Sequence, residues 1–426
     1  MNTDIHQARW VLPVSSPPIE NGIVTVAQGR VTDVRAKKVS DQVTVDHGDA
    51  TLLPGFVNAH THLELTFCRG QVPFDGSFVG WVRRLQSFLA TEGSPEARAA
   101  SLAEGLAQSL RAGVTAVADI GYGGGPLNAW ASSPMHVLGL LETLGMGAKR
   151  NHDHAQSIER LIDLIVSATT VSSEVSSHVS DLKSEISNLK LGISPHAPYS
   201  TSPEVFDKAI EFASTKNLLI ATHLAETMEE VQFLKDGTGP FRELLESLGL
   251  WDGSFAPPGC SPIEYAESLG LLALRPILAH VNYATDADLD RLARCRAHVV
   301  YCPRTHRFFG HEPHRYKDML ARGINVCVGT DSLASGDSLS VLEELRWLRR
   351  MDRETPHDEL LKMGTVRGAT ALRWDDEIGT LGVGKRADFV VISLDDPGTD
   401  DPCSDLLDTT ARPLSIWIAG KHALST

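Results

Sequence analysis

The sequence has little cysteine, few aromatic side chains and no long apolar run. Its 426 residues include six cysteines, none in a C-x-x-C pair, which argues against a disulfide framework and favours free thiols in a reducing compartment. No apolar stretch approaches the roughly 20 residues that span a bilayer. The N-terminus has no basic segment followed by an apolar one, so we expect no signal peptide. These absences together predict a cytoplasmic protein without a membrane partner.

Positive charge is also scarce. Lys and Arg number 39 against 54 for Asp and Glu, which gives a net charge of −15. A surface this acidic repels phosphate backbones and anionic lipid, so we do not expect nucleic acid as a partner. The hydrophobic fraction of 42% and the charged fraction of 22% are ordinary for a globular protein. A small molecule is therefore the expected partner, and association into homodimers is left open.

The chain is dominated by short apolar segments that alternate with helix-like stretches. Eight such segments followed by helices predict a (β/α)₈ barrel of the TIM type, in the α/β class. Their residue ranges are 51–62, 114–121, 135–143, 189–197, 218–226, 276–283, 297–305 and 325–332.

The two ends of the chain read differently from the middle. Residues 1–50 and 378–426 contain short β-like runs separated by turn residues, and we predict one small β-sandwich built from both termini. The barrel then occupies residues 51–377. Residues 150–188, rich in Ser and charge, predict a helix with a solvated face, and a mobile insertion is the alternative.

Ionisable residues stand at the ends of most predicted strands. The C-terminal strand ends of a (β/α)₈ barrel form its active-site face. The residues at these ends are His60, His62, Asp119, Glu142, His196, His223, Glu226, His280, Arg304 and Asp331.

The strongest local signal is the His60-Thr61-His62 triplet at the end of the first strand. Alternate residues on a strand point to one side, so both imidazoles can face the barrel axis and bind one cation. His223 and Asp331, at the ends of the fifth and eighth strands, supply further ligands. Three nitrogens and one carboxylate oxygen with an open position suit Zn²⁺, and Fe²⁺ or Mn²⁺ use the same ligand types.

Five segments carry a family resemblance: PGFVNAHTHLELT, SPHAPYS, THLAET, LAHVNY and GTDSLAS. They resemble the successive barrel motifs of the amidohydrolase superfamily. The similarity is greatest to the branch that contains triazine chlorohydrolases and deaminases of guanine, S-adenosylhomocysteine and aminodeoxyfutalosine. The similarity extends over essentially the whole chain, including GKRADFVVI near the C-terminus.

The resemblance implies site residues as well as a fold. It implies His60, His62, His223 and Asp331 as metal ligands, and Glu226 and His280 as the catalytic pair. It also implies a single metal ion. Two-metal relatives bridge their ions with a carboxylated Lys at the end of the fourth strand, where this chain has His196 and not Lys.

These residues suggest a reaction mechanism. A bound divalent ion lowers the pKa of its water toward neutrality and so provides hydroxide. We expect Asp331 to accept a proton from that water and His280 to orient it or to stabilise the developing oxyanion. Glu226 would protonate the ring nitrogen of an aminated heterocycle, making the adjacent carbon electrophilic. Attack on the carbon that bears the amine would then release ammonia.

Four residues are candidates for contact with the substrate. His196 would bond a ribose hydroxyl, Trp81 would form a wall for a planar ring, and Ser332 would orient the neighbouring carboxylate. The segment YCPRTHRFFGHEPHRY (301–316) places Arg304 just beyond the seventh strand, where a guanidinium would bind an anionic substrate group. This segment most resembles aminodeoxyfutalosine deaminases. A purely structural role stays open for each of the four.

We therefore predict a metal-dependent hydrolase that deaminates an aminated purine nucleoside, such as aminodeoxyfutalosine or another adenosine derivative. One alternative is a cyclic amidohydrolase or a chlorohydrolase acting on another N-heterocycle. An alternative of another class is a non-catalytic metal-binding scaffold on the same barrel, against which the presence of both Glu226 and His280 argues.

Overall fold

The computed structural model describes residues 3–122, 126–146 and 188–425. The helix predicted for residues 150–188 lies outside the described residues, apart from its last position.

Sixteen strands run through the described residues, and their bounds in chain order are β1 (Thr3–Val11), β2 (Ile19–Ala27), β3 (Arg30–Ala36), β4 (Val45–Asp46), β5 (Ala50–Pro54), β6 (Phe56–Thr61), β7 (Val114–Tyr122), β8 (His136–Thr143), β9 (Leu189–Pro195), β10 (Leu219–Leu224), β11 (Ile277–His280), β12 (His298–Tyr301), β13 (Asn325–Val328), β14 (Phe389–Ser393), β15 (Pro413–Ile418) and β16 (Lys421–Ser425). The α-helices of the same residues are α1 (Phe78–Glu92), α2 (Pro95–Arg111), α3 (Leu127–Ala131), α4 (Pro203–Lys216), α5 (Met228–Asp236), α6 (Pro240–Ser247), α7 (Pro262–Ser268), α8 (Asp286–Cys295), α9 (Pro303–Phe309), α10 (Tyr316–Ala321), α11 (Val341–Met351), α12 (His357–Met363), α13 (Val366–Ala371) and α14 (Pro402–Asp408). Short 3₁₀ helices span Leu63–Cys68 and Leu271–Leu274. None of these described helices is both long and apolar enough to cross a membrane.

Strands β6 to β13 pair in chain order as a parallel sheet, and each of them is buried over more than half of its length. This confirms the predicted barrel. The sheet closes where the first and last strands meet. The backbone N–H of Asp331 donates to the carbonyl of His60 (3.1 Å), and the Asn58 side chain exchanges two hydrogen bonds with Thr330 (2.8 and 3.1 Å). A Cβ at Gly329 would lie 2.8 Å from the His60 carbonyl oxygen, so this close approach requires glycine.

Two of the helices begin at side chains that cap their free backbone N–H groups. Ser202 accepts a hydrogen bond from the third residue of α4, and Pro203 occupies the first helical turn, where its missing N–H has no cost. Thr285 and Asp288 form a reciprocal capping box at the start of α8. These caps fix the helix entry points on the outside of the barrel.

The terminal strands form one mixed sheet of eight strands in the order β16-β15-β14-β5-β1-β2-β3, with β4 paired to β1. Both ends of the chain contribute, as predicted. The apolar run at 51–62 was predicted as a single barrel strand, and this is wrong. Its first part is β5, which pairs with β14 and β1 in the terminal sheet, whereas its second part is β6 of the barrel. The chain switches sheets at Gly55, where a Cβ would lie 2.1 Å from the Thr115 hydroxyl.

Candidate active site

Three imidazoles meet at the C-terminal face of the barrel. His60 is the last residue but one of strand β6, His62 follows the strand with its side chain on the same side as His60, and His223 lies on β10. One ring nitrogen from each lies within 4.8 Å of the other two. The Nε2 atoms of His62 and His223 are only 3.2 Å apart. Asp331 adds a carboxylate oxygen 3.5 Å from the His60 Nε2 and 3.7 Å from the His62 Nε2.

This arrangement suits a divalent cation. The Nε2 of His60 is buried, and no group of the described residues forms a hydrogen bond with it. His223 donates from Nδ1 to the carbonyl of His196 (2.9 Å), so its Nε2 presents a lone pair to the cluster. Burial lowers the pKa of His62 to about 3 and that of His223 well below its ordinary value, which keeps both imidazoles neutral. Neutral imidazoles that converge beside a carboxylate form a candidate metal site.

The carboxylate of Asp331 is ionised. Burial by itself would raise the pKa of Asp331, but the His60 Nε2, 3.5 Å from its carboxylate, and the other imidazoles nearby outweigh burial and hold the pKa below its ordinary value. Ser335 donates a hydrogen bond to its second oxygen (3.1 Å). The sequence predicted this orienting role for Ser332, which instead lines the adjacent cavity.

Glu226 and His280 form a second pair beside the imidazoles, with 3.5 Å between the Glu226 Oε1 and the His280 Nε2. Burial, followed by the charges of Asp331 and Glu230, raises the pKa of Glu226 well above its ordinary value. Burial lowers the pKa of His280 well below its ordinary value. Both shifts favour the uncharged forms, a protonated carboxyl group beside a neutral imidazole.

The Glu226 side chain and backbone are held by three groups that the sequence did not single out. The Tyr199 hydroxyl donates to the Glu226 Oε2 (3.2 Å), and the Asn282 side chain donates to its carbonyl (2.9 Å). The Glu230 carboxylate accepts from the backbone N–H groups of Ala225 (3.0 Å) and Glu226 (2.9 Å). Ala225 has a φ of 51°, which is uncommon for a residue other than glycine, so these bonds stabilise a strained turn.

The backbone at His280 is strained in the same way. His280 and Val281 have φ values of 70° and 52° in succession, and a β-branched residue seldom adopts that conformation. His314 donates from Nε2 to the carbonyl of His280 (2.9 Å) and stacks on Tyr301, with ring centroids 3.9 Å apart. The histidine-rich segment that the sequence singled out thus contacts the site through His314.

A cavity of about 580 Å³ opens from the imidazoles toward the barrel mouth. His196 and Trp81, both predicted to contact substrate, line it, and the His196 Nδ1 bonds the Ser200 hydroxyl (2.6 Å). Much of the rest of its wall is apolar, and includes Phe78, Leu85, Leu89, Phe241, Leu244 and Phe309. The cavity therefore offers an apolar enclosure with polar groups at its metal-binding end.

Arg304 does not line this cavity, which differs from the sequence prediction. Helix α9 begins at Pro303, so the guanidinium of Arg304 turns toward α11 and forms an ion pair with Asp337. Its backbone N–H donates to the Glu344 carboxylate (3.0 Å). The guanidinium in the cavity wall belongs to Arg98 of α2, a residue that the sequence does not distinguish from a surface charge.

Asp119, another predicted strand-end residue, supports the loop after His62 and does not line the cavity. Its carboxyl group accepts from the Leu63 N–H (2.8 Å) and the Trp130 Nε1 (2.7 Å). Glu64 accepts from the Tyr122 N–H (3.2 Å) and does line the cavity, as does Glu142 at the end of β8.

Comparison with known proteins finds a family match and similar relatives. The model of the amidohydrolase family matches residues 51–422. A 5-methylthioadenosine/S-adenosylhomocysteine deaminase of Caldanaerobacter subterraneus is 27% identical over 383 residues, which are 88% of this chain and 79% of the relative.

Two solved structures share the fold. One is an adenosine deaminase from Xanthomonas campestris with bound zinc, with a TM-score of 0.80 and 22% sequence identity. The match covers 99% of this chain and 92% of the deaminase chain. The other is Helicobacter pylori aminofutalosine deaminase in complex with methylthio-coformycin, with a TM-score of 0.79 and 21% sequence identity. This match covers 99% of this chain and 100% of the deaminase chain.

Proposed function

The chain belongs to the amidohydrolase family, and we propose that it is a metal-dependent hydrolase that removes ammonia from an aminated purine nucleoside. One observation carries the proposal. The carboxyl group of Glu226, whose pKa burial raises, lies 3.5 Å from the His280 imidazole, beside three converging imidazoles and Asp331. A proton donor is what an aminated heterocycle needs before its amine can leave.

We propose one divalent ion per chain, with Zn²⁺ as the preferred metal and Fe²⁺ or Mn²⁺ as alternatives. His60, His62, His223 and Asp331 would hold it. When bound, such an ion lowers the pKa of a water molecule toward neutrality. The position of Lys190 favours a single ion. A lysine that bridges two ions would stand at the end of β9, whereas Lys190 lies near its start and donates to the Arg373 carbonyl (2.6 Å).

Each catalytic residue then has a role that follows from its protonation state. Asp331, held ionised, accepts a proton from the attacking water. Glu226, whose raised pKa favours the protonated form, donates its proton to the ring nitrogen and regains one from the hydroxyl group added to the carbon as the C–N bond breaks, while the proton accepted by Asp331 passes to the departing amine. Within the described part of the chain no group forms a hydrogen bond with the His280 Nε2, which can therefore orient the water or bond the developing oxyanion.

The cavity supports a nucleoside-sized substrate. Its volume of about 580 Å³ is within the roughly 300–1,000 Å³ range of ligand pockets. Trp81, with ring contacts to Phe78 and Phe309, offers an aromatic wall for a planar base. The names of the relatives, among them deaminases of 5-methylthioadenosine and adenosine, are consistent with this assignment.

The rival assignments receive less support. A chlorohydrolase or cyclic amidohydrolase could use the same metal ligands, and its products would distinguish it. A binding scaffold has no need for a strained, buried Glu226–His280 pair. The anionic substrate group predicted from Arg304 gains no support from this geometry, because Arg304 is paired with Asp337 outside the cavity wall. The homodimer stays a prediction.

The test is ammonia release by the metal-loaded protein from adenine nucleosides, guanine, cytosine and aminotriazines. We expect adenine nucleosides to be the best substrates. Chloride release from a chlorotriazine without ammonia release from any purine would favour the chlorohydrolase alternative. Absence of turnover across the panel by a fully metallated sample would favour the scaffold.

A further inference from the structure

The wall of the cavity that is built by the first three barrel strands carries three charged side chains. Glu64 follows His62, Glu142 ends β8, and Arg98 projects from α2; we call them the Glu64–Arg98–Glu142 cluster. The reaction proposed above does not use them. They line the same cavity as the imidazoles, Glu226 and Asp331, so one ligand can contact both groups of residues.

The cluster is incompletely paired. Within residues 3–122, 126–146 and 188–425, Arg98 forms no ion pair with either carboxyl group, and its Nε donates to the Gly93 carbonyl (3.1 Å). Glu64 is only 9% exposed, and one of its oxygens accepts from the Tyr122 N–H. Glu142 receives no hydrogen bond from the described residues. Of the described residues, two carboxyl groups and one guanidinium therefore line this part of the cavity.

The surroundings of Glu142 raise its pKa. Burial, and then the charge of Glu64, raises the pKa of Glu142 to about 7, and Arg98 offsets this only in part. Above this pKa the described cluster has two carboxylates and one guanidinium, so it carries one excess negative charge in a largely apolar cavity, where an unpaired charge is costly.

We propose, on the basis of the deaminase function above, that the Glu64–Arg98–Glu142 cluster binds a hydrogen-bond-donating substituent of the substrate remote from the reacting ring, and that it favours an ammonium and disfavours a carboxylate. Ionised carboxylates only accept hydrogen bonds, so their partner must donate. An ammonium neutralises the excess charge, a hydroxyl satisfies the acceptors without changing it, and a carboxylate adds to it. This preference is the opposite of the one that Arg304 suggested from sequence.

Three nucleosides that differ only at the 5′ position test the proposal: 5′-amino-5′-deoxyadenosine, adenosine and adenosine-5′-carboxylate. Ammonia release gives kcat/KM, and calorimetry gives Kd for each with the metal-loaded protein. We expect the order amino, then hydroxyl, then carboxylate. A hydrogen bond to a charged group corresponds to about 10–150-fold, so the amino compound should exceed the carboxylate by at least about tenfold.

Variants of the cluster sharpen the test. Glu142→Gln keeps the shape and removes the charge, and we expect it to reduce the amino-to-carboxylate ratio about tenfold or more. Arg98→Met should increase that ratio and serves as a second variant should Glu142→Gln not fold. The matched control is Glu104→Gln on the exposed face of α2, where Glu104 pairs with Arg111 (3.3 Å), and it should leave the ratio unchanged.

The outcomes separate this proposal from the function on which it rests. Ammonia release with the carboxylate preferred, or with a ratio that neither cluster variant changes, overturns the cluster's role and leaves the deaminase assignment standing. The expected binding order without ammonia release overturns the deaminase assignment and supports the cluster. Absence of both binding and ammonia release overturns both.

Discussion

Substitution of Glu226 by glutamine isolates the proton donor from the metal site. The side chain is 5% exposed, and glutamine has nearly the same shape and can still accept the hydrogen bond from Tyr199. It cannot donate a proton to a ring nitrogen. Glu226 is not one of the three clustered imidazoles or Asp331, so metal binding should persist.

The expected loss of activity in Glu226→Gln is large. General acid–base groups contribute about 10²–10⁴-fold, which corresponds to roughly 3–5 kcal/mol of transition-state stabilisation. We predict a fall of this size in the kcat of Glu226→Gln for its amine substrate, with metal content unchanged by elemental analysis. A variant that retains its metal and turns over at nearly the parental rate would refute the role of Glu226 as the proton donor.

The variant Tyr199→Phe tests the same role of Glu226 by a smaller change. It removes one hydrogen bond to Glu226 and keeps the ring stacked on Phe241, at 4.0 Å between centroids. That bond lowers the pKa of Glu226, so its loss should raise the pKa further. Because the protonated form is the active one, activity falls as pH rises through this pKa. The alkaline limb of the kcat profile should therefore move to higher pH, and a shift to lower pH would contradict the assignment.

The remaining predictions concern the metal, the strained backbone and the barrel closure. His60→Ala and His223→Ala should lose metal and activity together, and retention of a full metal complement by either would contradict the ligand assignment. His314→Phe keeps the stack on its neighbour but loses the bond to the His280 carbonyl. It should lower kcat about 2–10-fold with KM little changed, as expected for a bond worth about 0.5–1.5 kcal/mol, whereas His314→Gln, which can still donate, should recover part of the rate. Asn58→Ala removes two buried hydrogen bonds across the closure and should destabilise the fold by about 1–3 kcal/mol in urea unfolding, and unchanged stability would show that the closure does not depend on them.

The barrel was predictable because its signal is repeated eight times, and the metal-binding imidazoles were predictable because strand ends share one face. The split at Gly55 was not, since an unbroken apolar run does not show which sheet each half joins. Arg304 shows a second limit of prediction from the sequence. Its position after a strand was predicted correctly, but the direction of its side chain depends on where α9 begins and on Asp337. Tyr199 and His314 act through contacts distant in sequence, which no local pattern reveals.

Titration of the metal-depleted protein with Zn²⁺, with ammonia release from an adenine nucleoside followed at each step, tests the central claim most directly. We predict that activity rises in proportion to bound metal and reaches its plateau at one equivalent per chain. No ammonia at full metal occupancy would contradict the deaminase assignment, and a plateau reached only at two equivalents would contradict the single-ion site.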